Sequence, residues 1–328
     1  MKALSSNEKE LIMSAKLKVQ NGEFVRAVSS FRNWVTPDGS PGPSGVGGFA
    51  AERDRYHLYV SYACPWAHRT LIFRALKGLE DIISVSVVHP LMPVESWVFD
   101  DYPGATVDHV NDAKYLYENY LKANSNFNGL VTVPVLWDKN QETIVNNESS
   151  EIIRMLNNSF NEFAKHKELD LYPEALREEI DRINQPIYDY INNGVYRAGF
   201  ATTQAAYDRA FDRLFNTLDE LEERLSKQPY LVGDKITEAD WRLFTTLVRF
   251  DPVYYNHFKT NKKRLIDCPN LWAYTRELYQ VPGIADTVNM DHIKYHYFAS
   301  HRSINPTGIV PKGPELDFMQ PHGRDYLL

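Results

Sequence analysis

From Tyr56 onward the chain alternates between short β-branched or aromatic runs and longer stretches with helical spacing. Tyr56-His57-Leu58-Tyr59-Val60-Ser61 reads as a strand, and from Pro65 the positions Ala67, Leu71, Ala75 and Leu79 recur on one helical face, widened by Ile72 and Leu76. Ile82 to Val88 is β-branched and predicts a second strand. Strand, helix and strand within about 30 residues form a βαβ unit, which the right-handed crossover rule makes parallel. A helix-like stretch near Asn111 to Lys122 precedes Val131-Thr132-Val133-Pro134-Val135-Leu136-Trp137 and Thr143-Ile144-Val145. Polar Asp138-Lys139-Asn140-Gln141 joins these two strands into a hairpin, and a helix opens near Ser149. The predicted order from residue 56 to about 158 is β-α-β-α-β-β-α, a thioredoxin-like α/β arrangement.

The second half changes character. Tyr207, Phe211, Leu214, Leu218, Leu221 and Leu225 are spaced alternately by four and three, with Asp212, Arg213, Glu222 and Glu223 off the seam, which is the stripe of a helix-bundle core. Thr237-Glu238-Ala239-Asp240 before Trp241 has the form of a capping box, with Asp at a last position where Glu is more typical. Leu271 to Tyr279 continues the helical pattern, which gives way to an aromatic and Pro-rich tail from Tyr295 to Pro314. Ahead of the first strand, Thr36 to Gly48 is dense in Pro and Gly and reads as a loop or arm. The predicted organisation is an arm with a Pro/Gly-rich loop over 1–48, a thioredoxin-like domain over 49–165, and an all-helical domain with a C-terminal tail over 166–328.

Composition narrows the function classes. At 328 residues the chain is longer than one core usually supports, and about 150 residues per domain suggests two. No apolar run approaches the roughly 18 residues of a membrane span. A net charge of −7 argues against nucleic acid and anionic lipid as partners. Met1 to Glu10 has no apolar secretory core and Tyr326-Leu327-Leu328 no recognised address, so the cytoplasm is the default location. The only two cysteines, Cys64 and Cys268, allow neither a disulfide framework nor a four-ligand zinc site, and a reducing compartment fits.

With the strand ending near Ser61 and Pro65 at the first helical position, Cys64 falls at the helix N-cap. Backbone N–H groups and the positive end of the helix dipole favour a thiolate there. Ala67 occupies the partner position of a Cys-x-x-Cys pair, so an external thiol has to regenerate Cys64, and glutathione is the most abundant such thiol. A lone cysteine is otherwise a small buried hydrophobe, the reading that suits Cys268 in Asp267-Cys268-Pro269. Val133-Pro134 enters a strand where Pro is unwelcome, which predicts a cis bond and an exposed Val133 backbone open to a peptide-like ligand. Asn147-Glu148-Ser149-Ser150 opens a helix, as a simple cap or as a carboxylate site. Three features suited to a peptide or anion at matching element ends favour a glutathione site over plain capping.

Tyr62-Ala63-Cys64-Pro65-Trp66-Ala67-His68-Arg69, the Val131 to Asp138 run, Asn147-Glu148-Ser149, Asn192 to Phe200, His292 to Tyr297 and Ile304-Asn305-Pro306-Thr307-Gly308 resemble the glutathione-transferase superfamily. The resemblance is closest to its xi class, the glutathionyl-hydroquinone reductases. It implies a glutathione-transferase fold, a Cys64 nucleophile, glutathione held by Trp97, Val133, Glu148 and Ser149, and an aromatic substrate faced by Tyr196 and Tyr297. It implies glutathione as co-substrate with no bound cofactor or metal, glutathionylated quinone-derived molecules as partners, and a homodimer. Without it, either tyrosine among the 20 in the chain would read as packing. His68 and Arg69 read as packing and helix polarity. Leu130 departs from relatives that often carry a basic residue there, which bears on affinity for a glutathione carboxylate. The competing readings are an omega-like thiol transferase, acting in deglutathionylation or dehydroascorbate reduction through Cys64, and a non-catalytic binding module, against which the intact Cys-Pro-Trp-Ala segment speaks.

Overall fold

The computed structural model describes residues 18–93 and 96–327. The two termini read above for targeting signals, Met1 to Glu10 and Leu328, lie outside them. Residues 27–169 and 289–296 form one compact unit, and residues 19–26, 170–288 and 297–327 a second.

A small hairpin, β1 (Lys18–Gln20) and β2 (Glu23–Val25), comes first. The first unit is built on a four-stranded sheet of order β4-β3-β5-β6, with β3 (Tyr56–Val60), β4 (Ser84–Val87), β5 (Val135–Asp138) and β6 (Thr143–Asn146). β3 runs parallel to β4 and antiparallel to β5, with Leu58 opposite Leu136 and Tyr59 opposite Val135. Every residue of β3 and β5 is buried, which explains their nearly continuous apolar character. Helices α1 (Pro65–Leu76), α2 (Leu116–Ala123) and α3 (Ser149–Asn158) complete the predicted β-α-β-α-β-β-α order, and α1 packs on α3. α2 starts later than its periodicity suggested. Asp108 accepts hydrogen bonds from the backbone N–H groups of Val110 and Asn111, holding that stretch as a loop, and the helix begins where Glu118 caps the Tyr115 N–H at 2.8 Å. Within the hairpin Asp138, fully buried, takes Arg55 Nη2 at 2.5 Å and also accepts from the Asn140 N–H of the turn.

The Pro/Gly-rich arm is more integrated than its composition predicts. Arg32 forms an antiparallel bridge with Asn146, Asn33 N–H donates to Val145 C=O at 3.0 Å, and Phe31 exchanges bonds with Asn147. The arm thereby covers the open edge of β6 and satisfies its outward backbone groups. Pairing across more than 100 positions of chain leaves no local signature, so composition alone could not reveal it.

The second unit is helical: α4 (Arg177–Pro186), α5 (Gly194–Gly199), α6 (Gln204–Leu225), α7 (Glu238–Arg249) and α8 (Pro269–Tyr279). The predicted stripe on α6 buries Leu214, Leu218, Leu221 and Leu225, and Tyr207 and Phe211 at its start are only half-buried. The capping box at Thr237 forms with Asp240, whose buried carboxylate accepts from Thr237 N–H at 2.7 Å. A π-helical turn at Ile187–Asn192 leads into α5, which carries Tyr196, and a second at Phe250–Tyr254 carries Tyr254 as its last residue. The tail begins later than expected. α9 (Met290–Ser300) runs through Tyr295, because its aromatic residues are not helix breakers and His292, Ile293, His296 and Tyr297 all find burial. Beyond it the chain is irregular up to a 3₁₀ turn at Asp325–Leu327 and is pinned by Arg324, which bonds Glu277 at 2.7 Å and the Leu225 carbonyl at 3.2 Å. Among the described residues no helix is long and apolar enough to cross a membrane.

Candidate active site

Cys64 is the N-cap of α1, with extended backbone angles (φ −77°, ψ 120°) and Pro65 at the first helical position, as predicted. Its own N–H is occupied by Ser61 C=O at 3.2 Å, and its carbonyl accepts from His68 N–H at 3.0 Å. The half-buried thiol points at the Val133 carbonyl and lies 3.5 Å from it. Ala67, one turn along, is fully buried and offers a methyl group where a second thiol would stand.

The Val133–Pro134 bond is cis, as predicted. Tyr120 of α2 holds the preceding residue from both sides, donating to Thr132 C=O at 2.8 Å and accepting from Thr132 N–H at 3.2 Å. The same hydroxyl accepts from Asn147 Nδ2 at 3.1 Å, so one buried phenol fixes the entry to Val133 and the entry to α3. Among the described residues the Val133 N–H takes no backbone acceptor, and its backbone is suited to pairing with an extended peptide.

At the start of α3, Glu148 is the N-cap and accepts from Ser150 N–H at 3.1 Å and Ser150 Oγ at 2.9 Å. Ser29, from the arm, donates to the other carboxylate oxygen at 2.9 Å. Burial pushes the Glu148 carboxyl up, but these donors and the Arg69 charge outweigh burial and hold it below the ordinary glutamate value. Ser149 is buried and accepts from Arg69 Nη1 at 3.4 Å. Arg69 comes from the helix that Cys64 caps, is 1% exposed, and lies over the Trp66 ring at 4.6 Å. Its packing role was legible in the sequence. Its contact with the start of α3 was not, because it joins helices 80 positions apart. Ser29 and Tyr120 join this site through contacts with no motif of their own, and Arg69, although it lies in the Tyr62 to Arg69 segment, through a contact that segment does not reveal.

Trp97 is nearly buried and stacks on His296 of α9, with ring centroids 4.9 Å apart and planes 21° from parallel.

In the second unit, Tyr196 and Tyr297 share a hydroxyl–hydroxyl bond of 2.5 Å, and Tyr254 extends it to Tyr297 at 3.0 Å. Burial, reinforced by the Tyr196 and Tyr254 hydroxyls, pushes the Tyr297 phenol well above its ordinary value. It therefore remains neutral and able to donate across the physiological range. Tyr254 was missed: it lies in Val253-Tyr254-Tyr255, where nothing sets it apart from a packing tyrosine. Phe24, Phe200 and Phe258 surround the Tyr196 ring, and the Arg26 guanidinium sits 5.2 Å from its centroid. Among the described residues no group of three or more His, Cys, Asp or Glu side chains could hold a metal ion.

Comparison with known proteins places these two sets of residues in one family. Residues 63–159 match the family described as glutathione S-transferase, N-terminal domain, and residues 204–277 match glutathione S-transferase, C-terminal domain. The glutathionyl-hydroquinone reductase YqjG of Escherichia coli (strain K12) is 59% identical, covering 94% of this chain and 94% of its own length. A glutathione-bound structure of YqjG has a TM-score of 0.88 at 60% identity, covering 90% of this chain and 96% of that one. A xi-class glutathione transferase from Natrialba magadii has a TM-score of 0.89 at 52% identity, over 96% of this chain and 94% of that one. The thioredoxin-like and all-helical units are those of the glutathione-transferase fold. The chain belongs to the glutathione-transferase superfamily and, within it, to the xi class of glutathionyl-hydroquinone reductases.

Proposed function

We propose that this protein reduces glutathionyl-hydroquinones to hydroquinones with glutathione as co-substrate. The observation that carries the reading is Cys64: a thiol at a helix N-terminus, 3.5 Å from the carbonyl of Val133, with an alanine in the resolving position. Protonation of the sulfur-bearing ring carbon gives the keto tautomer. The Cys64 thiolate then attacks the glutathione sulfur, the carbon–sulfur bond breaks, and its electron pair passes into the ring as the phenolate, which takes up one proton to become hydroquinone. Cys64 is left in a mixed disulfide with glutathione. A second glutathione thiolate attacks that glutathione sulfur, so glutathione disulfide leaves and the Cys64 thiolate returns. The substrate's thioether sulfur and one glutathione thiol are oxidised to the disulfide, and the ring carbon is reduced by two electrons.

In this reading Trp97, Val133, Glu148 and Ser149 hold glutathione. Val133 pairs with its peptide backbone, and the start of α3 supplies Ser149 and helix N–H groups for a carboxylate. Tyr196 orients the ring hydroxyl by hydrogen bonding, and Tyr297 acts with it through the bond between their hydroxyls. A phenol kept neutral by burial is a donor rather than a base, which favours orientation over proton abstraction. We assign no bound cofactor, a homodimer on the family resemblance, and the cytoplasm as the default location of a chain with two lone cysteines and no recognised targeting segment.

Intact mass after incubation with glutathionyl-menadiol tests the proposal: one glutathione is expected on the wild-type chain and none on Cys64→Ser. Turnover of hydroxyethyl disulfide with no action on glutathionyl-menadiol would instead establish an omega-like thiol transferase, and unchanged thiol transfer by Cys64→Ser would point to a binding module.

A further inference from the structure

We infer that His296 is the positioning residue for Trp97, setting the indole for glutathione; the inference rests on the assignment of Trp97 to glutathione binding. An indole that is to meet a ligand must have its two side-chain torsions fixed beforehand, or binding has to supply that order. Main-chain bonds hold the Trp97 backbone: its carbonyl accepts from Leu116 N–H at 2.9 Å, and the next carbonyl, Val98, accepts from His89 N–H at 2.8 Å. Neither bond constrains the ring.

His296 does. Its imidazole lies against the indole face at 4.9 Å and 21°, a near-parallel stack. Its Nδ1 is 2.8 Å from the Pro90 carbonyl, and because a carbonyl only accepts, Nδ1 carries the hydrogen and the ring plane is set. At 6% exposure, water competes little for either contact. One imidazole therefore grips both ends of the connection from Pro90 to Trp97. Losing it leaves those main-chain bonds in place and releases the indole face together with the Pro90 carbonyl. A side chain that merely filled space would not separate the two in this way.

The test is steady-state kinetics with glutathionyl-menadiol while glutathione is varied, backed by calorimetric titration of glutathione. His296→Ala is expected to raise the glutathione KM about fivefold, an aromatic-pair contribution expressed as an equilibrium ratio, with kcat changed less than about twofold. His296→Phe, which keeps an aromatic face, restores most of the loss. His296→Asn, which keeps only a donor for Pro90, does not. Trp97→Phe raises KM by itself, and His296→Ala adds nothing in that background. An unchanged KM in His296→Ala, or an equal further loss on top of Trp97→Phe, overturns the inference while the Trp97 assignment stands. An unchanged KM in Trp97→Phe overturns that assignment and the inference with it. If His296→Ala has no thermal unfolding transition, His296→Asn takes its place with the same expected ratio and the same overturning results.

Discussion

Removing the Tyr254 hydroxyl tests whether the buried tyrosines act as a connected set. Tyr297 is 1% exposed and stands between Tyr196 at 2.5 Å and Tyr254 at 3.0 Å. Each phenol has one hydrogen to give, so if Tyr254 donates to Tyr297, Tyr297 donates to Tyr196, and the Tyr196 hydrogen is directed to a further acceptor such as a ring oxygen. Tyr254→Phe keeps the ring stacked on Phe258 at 5.5 Å and removes the Tyr254 hydroxyl's bond to Tyr297. A buried neutral hydrogen bond contributes about 1 kcal/mol net, which is about fivefold in rate if it is felt fully in the transition state. The expected result is a fall of about fivefold in kcat/KM for glutathionyl-menadiol, with hydroxyethyl disulfide turnover within about twofold of wild type. A disulfide has no ring carbon to protonate, so thiol exchange at Cys64 serves as the internal control. Equal losses on both substrates, or no loss on either, would refute the reasoning.

Other perturbations address the frame of the site. Asp138→Asn leaves the Arg55 guanidinium without its buried counter-charge, and equilibrium urea unfolding should register a loss of about 3–5 kcal/mol. Because Glu148 is held below its ordinary value of 4.5, its carboxylate adds stability that is complete above that value and lost as pH falls through the lower folded value. Urea midpoints of wild type and Glu148→Gln should therefore converge on acidification below about pH 4; midpoints that stay parallel would disprove the sign. Ser29→Ala removes one donor to that carboxylate, and calorimetry should show glutathione binding weakened by a few-fold, on the order of 1 kcal/mol or less.

What was legible in the sequence, and what was not, follows from the range of the forces involved. Cys64 at a helix start, Pro65 behind it, the cis bond at Val133 and the cap at Thr237 are all set by neighbours within a few positions, and each reads directly from composition and spacing. The late start of α2 escaped because Asp108 competes for backbone N–H groups that periodicity had assigned to a helix. The extent of α9 is hidden because aromatic density in the sequence resembles a tail, whereas burial of His296 and Tyr297 favours the helix. Ser29, Arg69, Tyr254 and the stack of His296 on Trp97 join residues dozens to nearly 200 positions apart, and no local pattern carries such a pairing.

The arm along β6 has a consequence for the order in which the chain matures. Ser29 meets Glu148, and Arg32 meets Glu151, across 119 positions of sequence. On the ribosome, residues 29–33 emerge long before their partners, and a contact of that span closes only after the hairpin and α3 exist. Until then the edge of β6 is open to other strands, and Glu148 lacks its serine donor. The arm is therefore a late-docking piece: the step that completes the start of α3, proposed to hold glutathione, also removes the sheet's exposed edge, so completion of that helix start and protection from aggregation arrive together.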